Sequence, residues 1–228
     1  MDFSRRIENV KNAIRSACLD AGRPADAARL IAVSKTFPAD YVRNFYETGQ
    51  REFAENKVQE LAAKTLVLPQ DICWHMIGHL QSNKVASAVS NASWIDSVDS
   101  IKLLQRIDRI AGEKGVTPQI LLEVNLGEEE NKTGASWDLL PELAKAAKAA
   151  TNCHWVGLMG MAPKSDTETV RKCFSRLAEA RDELQRDLDV ILPELSMGMS
   201  GDFRTAISCG ATMVRIGTAL FGARDYSL

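Results

Sequence analysis

Eight short apolar runs recur along this chain with helical patterns between them, and that alternation restricts the possible folds more than any other feature. The runs are "RLIAVSK" (29–35), "REFAEN" (51–56), "CWHMIGHL" (73–80), "SWIDSVD" (93–99), "QILLEVNLG" (119–127), "HWVGLMGMA" (154–162), "ELSMGMS" (194–200) and "MVRIGTALFG" (213–222). Several are apolar on both faces, as parallel strands covered on both sides must be. Helical stretches are expected at 38–49, 97–115, 136–150 and 165–188, with an extra one over 3–22 ahead of the first strand. The first of these has Pro38 near its start and Gly49 just past its end, the usual asymmetry of a helix. In the second, Ile101, Leu104, Ile107 and Ile110 recur at a spacing of three or four. Ser136 is placed to cap the third, and the fourth opens "SDTET" with acids in its first turn.

Strands alternating with helices build a parallel sheet. With 228 residues, close to the ~250 typical of the fold, the expected architecture is a single (β/α)8 TIM barrel. The same alternation also permits an open, doubly wound sheet. Low-complexity segments and Pro/Gly-rich linkers are absent, so residues 1–228 read as one domain.

Composition excludes several classes of function. A net charge of −2 gives no basic face for nucleic acid. The five cysteines are odd in number, dispersed and without a C-x-x-C pair, which argues for a reducing compartment and against a disulfide framework or zinc knuckle. The start lacks the apolar core of a signal peptide, and no apolar run approaches the ~18–20 residues that span a bilayer. The expectation is a cytoplasmic protein with no membrane or nucleic-acid partner and no metal.

In a (β/α)8 barrel, chemistry gathers at the carboxyl ends of the strands. Lys35, Asn56, His79, Asn125, Ser200 and Arg215 fall there. A lone lysine at a strand end is ordinarily solvated, so Lys35 alone says little, although it shares the face of Val33. Arg215 is more telling. It stands between Met213 and Gly217 on one face of the last strand, and a buried guanidinium needs an acceptor or a ligand. An internal ion pair with Glu123 would also satisfy it. "SMGMSGDFRTAISCG" (196–210) reads as strand, turn and short helix, with Ser200 near a helix N-terminus that could hold an anion. Simple capping by Ser200 or Asp202 is the competing explanation. Barrels often bind phosphate after strands seven and eight, where this segment and Gly217-Thr218 both lie.

Other motifs fail. His75 and His79 are separated by roughly 13 Å along a strand, too far to share a zinc ion. "GEEENKTG" lacks the second P-loop glycine, since Asn131 occupies that position. A strand-one lysine, an anion site after strands seven and eight and an inward arginine together suit one ligand, pyridoxal 5′-phosphate (PLP). Lys35 would take its aldehyde as a Schiff base, Ser200, Gly217 and Thr218 its phosphate, and Arg215 its ring nitrogen.

"AVSKT", "FAENKVQE", "WHMIGHLQSNK", "SVDS", "GLMGMAP", "LSMGMSGD" and "MVRIGTALFGARDY" occur in order over essentially the whole chain. In these the sequence resembles the pyridoxal-phosphate homeostasis proteins, the YggS/PROSC family. The resemblance implies a monomeric or weakly associating barrel like the N-terminal domain of alanine racemase, and a role in vitamin B6 balance. It implies PLP on Lys35, Asn56 beside the cofactor, and Met199, Ser200, Gly217 and Thr218 around its phosphate. It further implies Arg215 at the pyridine nitrogen and Lys132 as a second lysine near the site. Arg204 departs from the family, which usually has an acidic residue there; its expected place is on a helix outside the pocket. Alanine racemases add a second domain that completes their acid/base pair, for which a chain ending "FGARDYSL" has no room. The expected function is therefore a cofactor carrier without robust catalysis, passing PLP to apo-enzymes. The alternatives are a weak PLP-dependent racemase or lyase, and a class I aldolase-like barrel.

Overall fold

In the computed structural model of the chain, residues 2–127 and 133–222 are described. Eight strands run parallel in the order of the sequence: β1 (Arg29–Val33), β2 (Glu52–Glu55), β3 (Cys73–Met76), β4 (Trp94–Val98), β5 (Gln119–Val124), β6 (His154–Gly160), β7 (Glu194–Ser196) and β8 (Met213–Ile216). Each pairs with the next, and β8 returns to β1 in the register Arg29↔Met213 and Ile31↔Arg215. That last pairing closes the barrel and eliminates the open sheet.

Helices α1 (Phe3–Asp20), α2 (Ala39–Glu47), α3 (Val58–Thr65), α4 (Val85–Asn91), α5 (Ile101–Lys114), α6 (Leu140–Ala149), α7 (Thr167–Leu188), α8 (Phe203–Ser208) and α9 (Thr218–Phe221) are interleaved with the strands. α5 has the ends its sequence announces: the Ser100 hydroxyl accepts from Leu103 N–H at 3.4 Å, and Gly115 terminates it at φ +66°. Leu103, Leu104, Ile107, Ile110 and Ala111 form its buried stripe. α7 is capped by Asp166, whose carboxylate accepts from Glu168 and Thr169 N–H, each at 3.0 Å. Ser136 caps the turn that leads into α6, accepting from Leu139 N–H at 3.2 Å.

Three readings need correction. The strands stop earlier than their apolar runs, because closing a barrel uses only the stretch that pairs on both sides. The eighth run divides at Gly217: β8 ends at Ile216 and Thr218 opens α9. α3 and α4, missing from the expected helices, are short; α4 is built from small residues around Val85, Ala88 and Val89, so its periodicity is weak.

Two apolar regions hold the fold together. The larger lies between strands and helices. The smaller fills the barrel with Ile31, Val33, Ala54, Leu121, Met159 and Met213. It is small because the interior also carries Glu123, Arg215, His75 and Asp96, all buried. α1 lies across the last helices, where Arg6 Nη1 donates to the Leu220 carbonyl at 3.0 Å. A run of rings, Phe3–Phe45–Phe221–Phe37, with centroids 4.9–5.1 Å apart, joins it to the carboxyl end of the barrel. No helix among the described residues is long and apolar enough to cross a membrane.

Candidate functional site

A cavity of about 220 Å³ opens at the carboxyl end of the barrel. Lys35, Asn56, Met199, Ser200, Arg215, Gly217 and Thr218 all line it. These are seven of the eight residues expected to bind the cofactor; the eighth, Lys132, lies outside the described residues, and His79 and Asn125, also expected at strand ends, do not line the cavity. Sequence reasoning missed Phe37, Ile77 and Met161 on its walls. Only the fold shows that these apolar side chains belong to a site and not to the core.

Lys35 is half-buried in the turn after β1, and both of its neighbours are fastened. Ser34 N–H continues the sheet by donating to the Ala54 carbonyl at 3.0 Å. The Ser34 hydroxyl donates to Glu55 Oε1 at 2.6 Å, and the Ser34 carbonyl accepts from Lys64 Nζ at 2.9 Å. Lys64 closes the triangle on Glu55 Oε1 at 2.5 Å. Burial pushes the Glu55 carboxyl above its ordinary range, against the opposing pull of Lys64 and Ser34. On the other side Thr36 sits at φ +71°, and its N–H donates to Glu60 Oε2 at 2.8 Å. A β-branched residue in the left-handed region is strained, a device that recurs where a site over-determines its backbone.

Arg215 is buried, but the ion pair with Glu123 does not form. The guanidinium donates through Nη1 to the Ser196 carbonyl and hydroxyl, both at 2.7 Å, and through Nη2 to the Gly160 carbonyl at 3.0 Å. Glu123 instead accepts from the Thr133 hydroxyl at 2.8 Å, and burial raises its pKa. Three of the five guanidinium N–H donors are thus committed to neutral acceptors, which fixes the plane of the group and leaves donors for a ligand.

At the rim, Asp202 ties the 199–202 turn by accepting from Met199 N–H at 2.6 Å. That assigns capping of the turn to Asp202, and the Ser200 hydroxyl lies exposed on the cavity wall. Across the opening, Gly217 packs against β1: a Cβ there would come within 3.3 Å of the Val33 carbonyl. Asn56 depends on a second glycine that the sequence reading passed over, since a Cβ on Gly78 would fall 2.1 Å from the Asn56 carbonyl oxygen. Arg204 projects from α8 toward Asp20 of α1 at 3.8 Å, largely exposed and outside the cavity.

The two β3-region histidines part company as expected. His79 stands at the rim, 3.4 Å from Asp99. His75 is fully buried, with Nδ1 3.1 Å from Asp96 Oδ1 and its ring stacked on Trp94 at 5.0 Å. Burial disfavours its charged form, but the Asp96 carboxylate outweighs that and holds the His75 pKa well above the ordinary value.

Fold and site together define a barrel of the alanine racemase N-terminal type, and residues 9–225 match the family model described as "Alanine racemase, N-terminal domain". An alanine racemase of Clostridium difficile, 16% identical, superposes with a TM-score of 0.75 over 100% of this chain and 58% of its own, a likeness of fold alone. Much nearer is the pyridoxal phosphate homeostasis protein of Aquifex aeolicus, 42% identical over 99% of this chain and 100% of its own length. That of Pseudomonas aeruginosa is 42% identical over 98% and 96% respectively. PipY of Synechococcus elongatus, solved with PLP bound, is 40% identical with a TM-score of 0.78, covering 91% of this chain and 98% of its own. The chain belongs to the pyridoxal phosphate homeostasis protein family.

Proposed function

We propose that the cavity holds PLP and that the protein serves to keep that cofactor in balance, as its relatives are named for doing. The observation that carries this reading is the convergence of Lys35, Arg215 and the Ser200, Gly217 and Thr218 rim on one cavity. When bound, the cofactor supplies an aldehyde that forms a Schiff base with a primary amine, and a ring that withdraws electrons. Lys35 is the amine within the cavity. The exposed Ser200 and Thr218 hydroxyls, with backbone N–H groups of the two turns, suit a phosphate. Asn56 lies beside the cofactor, and Met199 stands with Ser200 by its phosphate. Lys132, outside the described residues, is the candidate second lysine that the family resemblance implies, and the chain is read as one domain.

Arg215 faces the ring nitrogen as a donor, and a guanidinium cannot release its proton there. The nitrogen stays unprotonated, and the ring is a weak electron sink. Such a site favours holding and releasing PLP, to an acceptor amine or an apo-enzyme, over turnover of an amino acid.

Loading the protein with PLP and reducing it with borohydride is expected to fix one pyridoxyl phosphate group on Lys35, read by peptide mass. Lys35→Ala should lose both the adduct and the yellow colour. An adduct that persists in Lys35→Ala would overturn the assignment. Robust racemase turnover that depends on Lys35 would overturn the carrier reading while leaving the cofactor in place.

A further inference from the structure

The amino end of the barrel, opposite the cavity, carries a second group of polar side chains that the proposed function does not use. Glu52 opens β2 and Cys73 opens β3, and they are direct partners in the parallel register. His75 follows Cys73 by two residues and so shares its face. Cys73 Sγ, a ring nitrogen of His75 and a Glu52 carboxylate oxygen all lie within 4.8 Å of one another, and Nε2 is 3.9 Å from Glu52 Oε1.

His75 points to a ligand there. Its Nδ1 faces Asp96 Oδ1 and Oδ2 at 3.1 and 3.3 Å, while Nε2 is buried without a hydrogen-bond partner. A histidine held through one nitrogen by a carboxylate, with the other aimed at a thiol and a second carboxylate, has the arrangement of a metal ligand with its supporting partner. We propose that Cys73, His75 and Glu52 form a binding site for a zinc-type divalent ion.

The donor set suits that ion and few others. One sulfur, one imidazole and one carboxylate match zinc chemistry, whereas calcium and magnesium take all-oxygen shells. Tetrahedral zinc with bonds of about 2.0–2.3 Å has ligand edges of roughly 3.3–3.6 Å, a distance the three side chains reach by closing up to about 1 Å through side-chain torsions. On binding, Cys73 gives up its thiol proton and His75 its Nε2 proton to solvent, His75 then ligates through the Nε2 lone pair, and water completes the shell.

Charge permits it too. Arg29 donates from Nε to Glu52 Oε1 at 2.9 Å and from Nη1 to Glu194 Oε1 at 2.8 Å. Two carboxylates, Glu52 and Glu194, thus flank the guanidinium, while Asp96 holds the far nitrogen of His75, so the ion would enter a region where carboxylates outnumber the cationic groups. Entry is available because Glu52 and Arg29 also line an open groove of about 390 Å³.

Cobalt(II) titrated into the purified full-length protein is the test. One equivalent should bind with a near-ultraviolet thiolate-to-cobalt charge-transfer band, and zinc should displace it. Cys73→Ser, at a half-buried position, should remove the band while far-UV circular dichroism and the metal-free thermal midpoint stay as in the parent. Asp96→Asn should keep the band but weaken binding about 10–100-fold. Failure of the parent to bind, a bound cobalt ion without a thiolate band, or a band that survives Cys73→Ser would each overturn the proposal. Should Asp96→Asn fail to fold, the parent and Cys73→Ser spectra still decide it.

Discussion

Gly78 does its work by lacking a side chain. The Asn56 backbone crosses so close above it that a methyl group would lie 2.1 Å from the Asn56 carbonyl oxygen. Gly78→Ala must therefore displace the β2 loop, and crowding of this kind typically costs ~1–3 kcal/mol. Urea unfolding should show that loss, and PLP uptake should weaken with it. Gly115→Ala is the comparison: that glycine has φ +66° but nothing within 4 Å, so the substitution should cost stability only through backbone strain and leave PLP uptake unchanged. Equal effects on uptake would refute the argument. At this scale the sequence was legible where a residue's chemistry is unusual for its setting, as with Lys35 and Arg215. It was mute where the need arises from a neighbour's backbone, as at Gly78, or where an ordinary apolar residue such as Ile77 turns out to face a cavity.

α7 shows what an element can hide. "SDTET" announced a helix start, but the choice between Ser165 and Asp166 rests on which side chain meets two N–H groups at once. Asp166 does, and its hydrogen bonds from the Thr169 hydroxyl and backbone hold its carboxyl down at about 2. In the unfolded chain an aspartate titrates near ~3.9. A depressed carboxyl contributes stability that is complete above the unfolded value and is lost as pH falls through the folded one. The parent's thermal midpoint should therefore fall more steeply from about pH 4 to about pH 2 than that of Asp166→Ala, which has no such group to protonate. Parallel slopes would show that the cap contributes nothing. The strands teach the complementary lesson. Apolar runs overstate them, because the residues beyond each pairing region are apolar for another reason: they line the cavity or pack under a loop. α4 escaped notice because small residues carry little hydrophobic period.

Across the whole molecule, the eightfold alternation narrowed the fold to a barrel or an open doubly wound sheet, and the β8–β1 pairing, which no local pattern announces, decides between them. What it could not reveal is the division of labour between the two ends: Glu123, Arg215 and Lys35 at one, Glu52, Cys73 and His75 at the other, separated by the apolar layer of Ile31, Ala54, Leu121 and Met213. A ligand at the carboxyl end stabilises the entire closed ring, because no strand can leave without breaking two ladders. With PLP at a hundred times its Kd, linkage adds ~2.7 kcal/mol, a rise in Tm of roughly 5–10 °C for a chain of this size. Lys35→Ala should abolish most of that rise under scanning calorimetry, and Cys73→Ser should leave it whole. A rise unchanged in Lys35→Ala would place the ligand elsewhere.

The fastening of Ser34 and Thr36 has a kinetic side. With its Cα pinned between Glu55, Lys64 and Glu60, Lys35 has little freedom beyond its own side-chain torsions. An amine so tethered meets a carbonyl seated in the cavity as an intramolecular reagent. Well-oriented pairs of that kind reach effective molarities of ~10⁵ M and above, far beyond any free amine in solution. Release then depends on an incoming amine entering the same small volume, so the pocket that speeds capture also sets the rate of surrender.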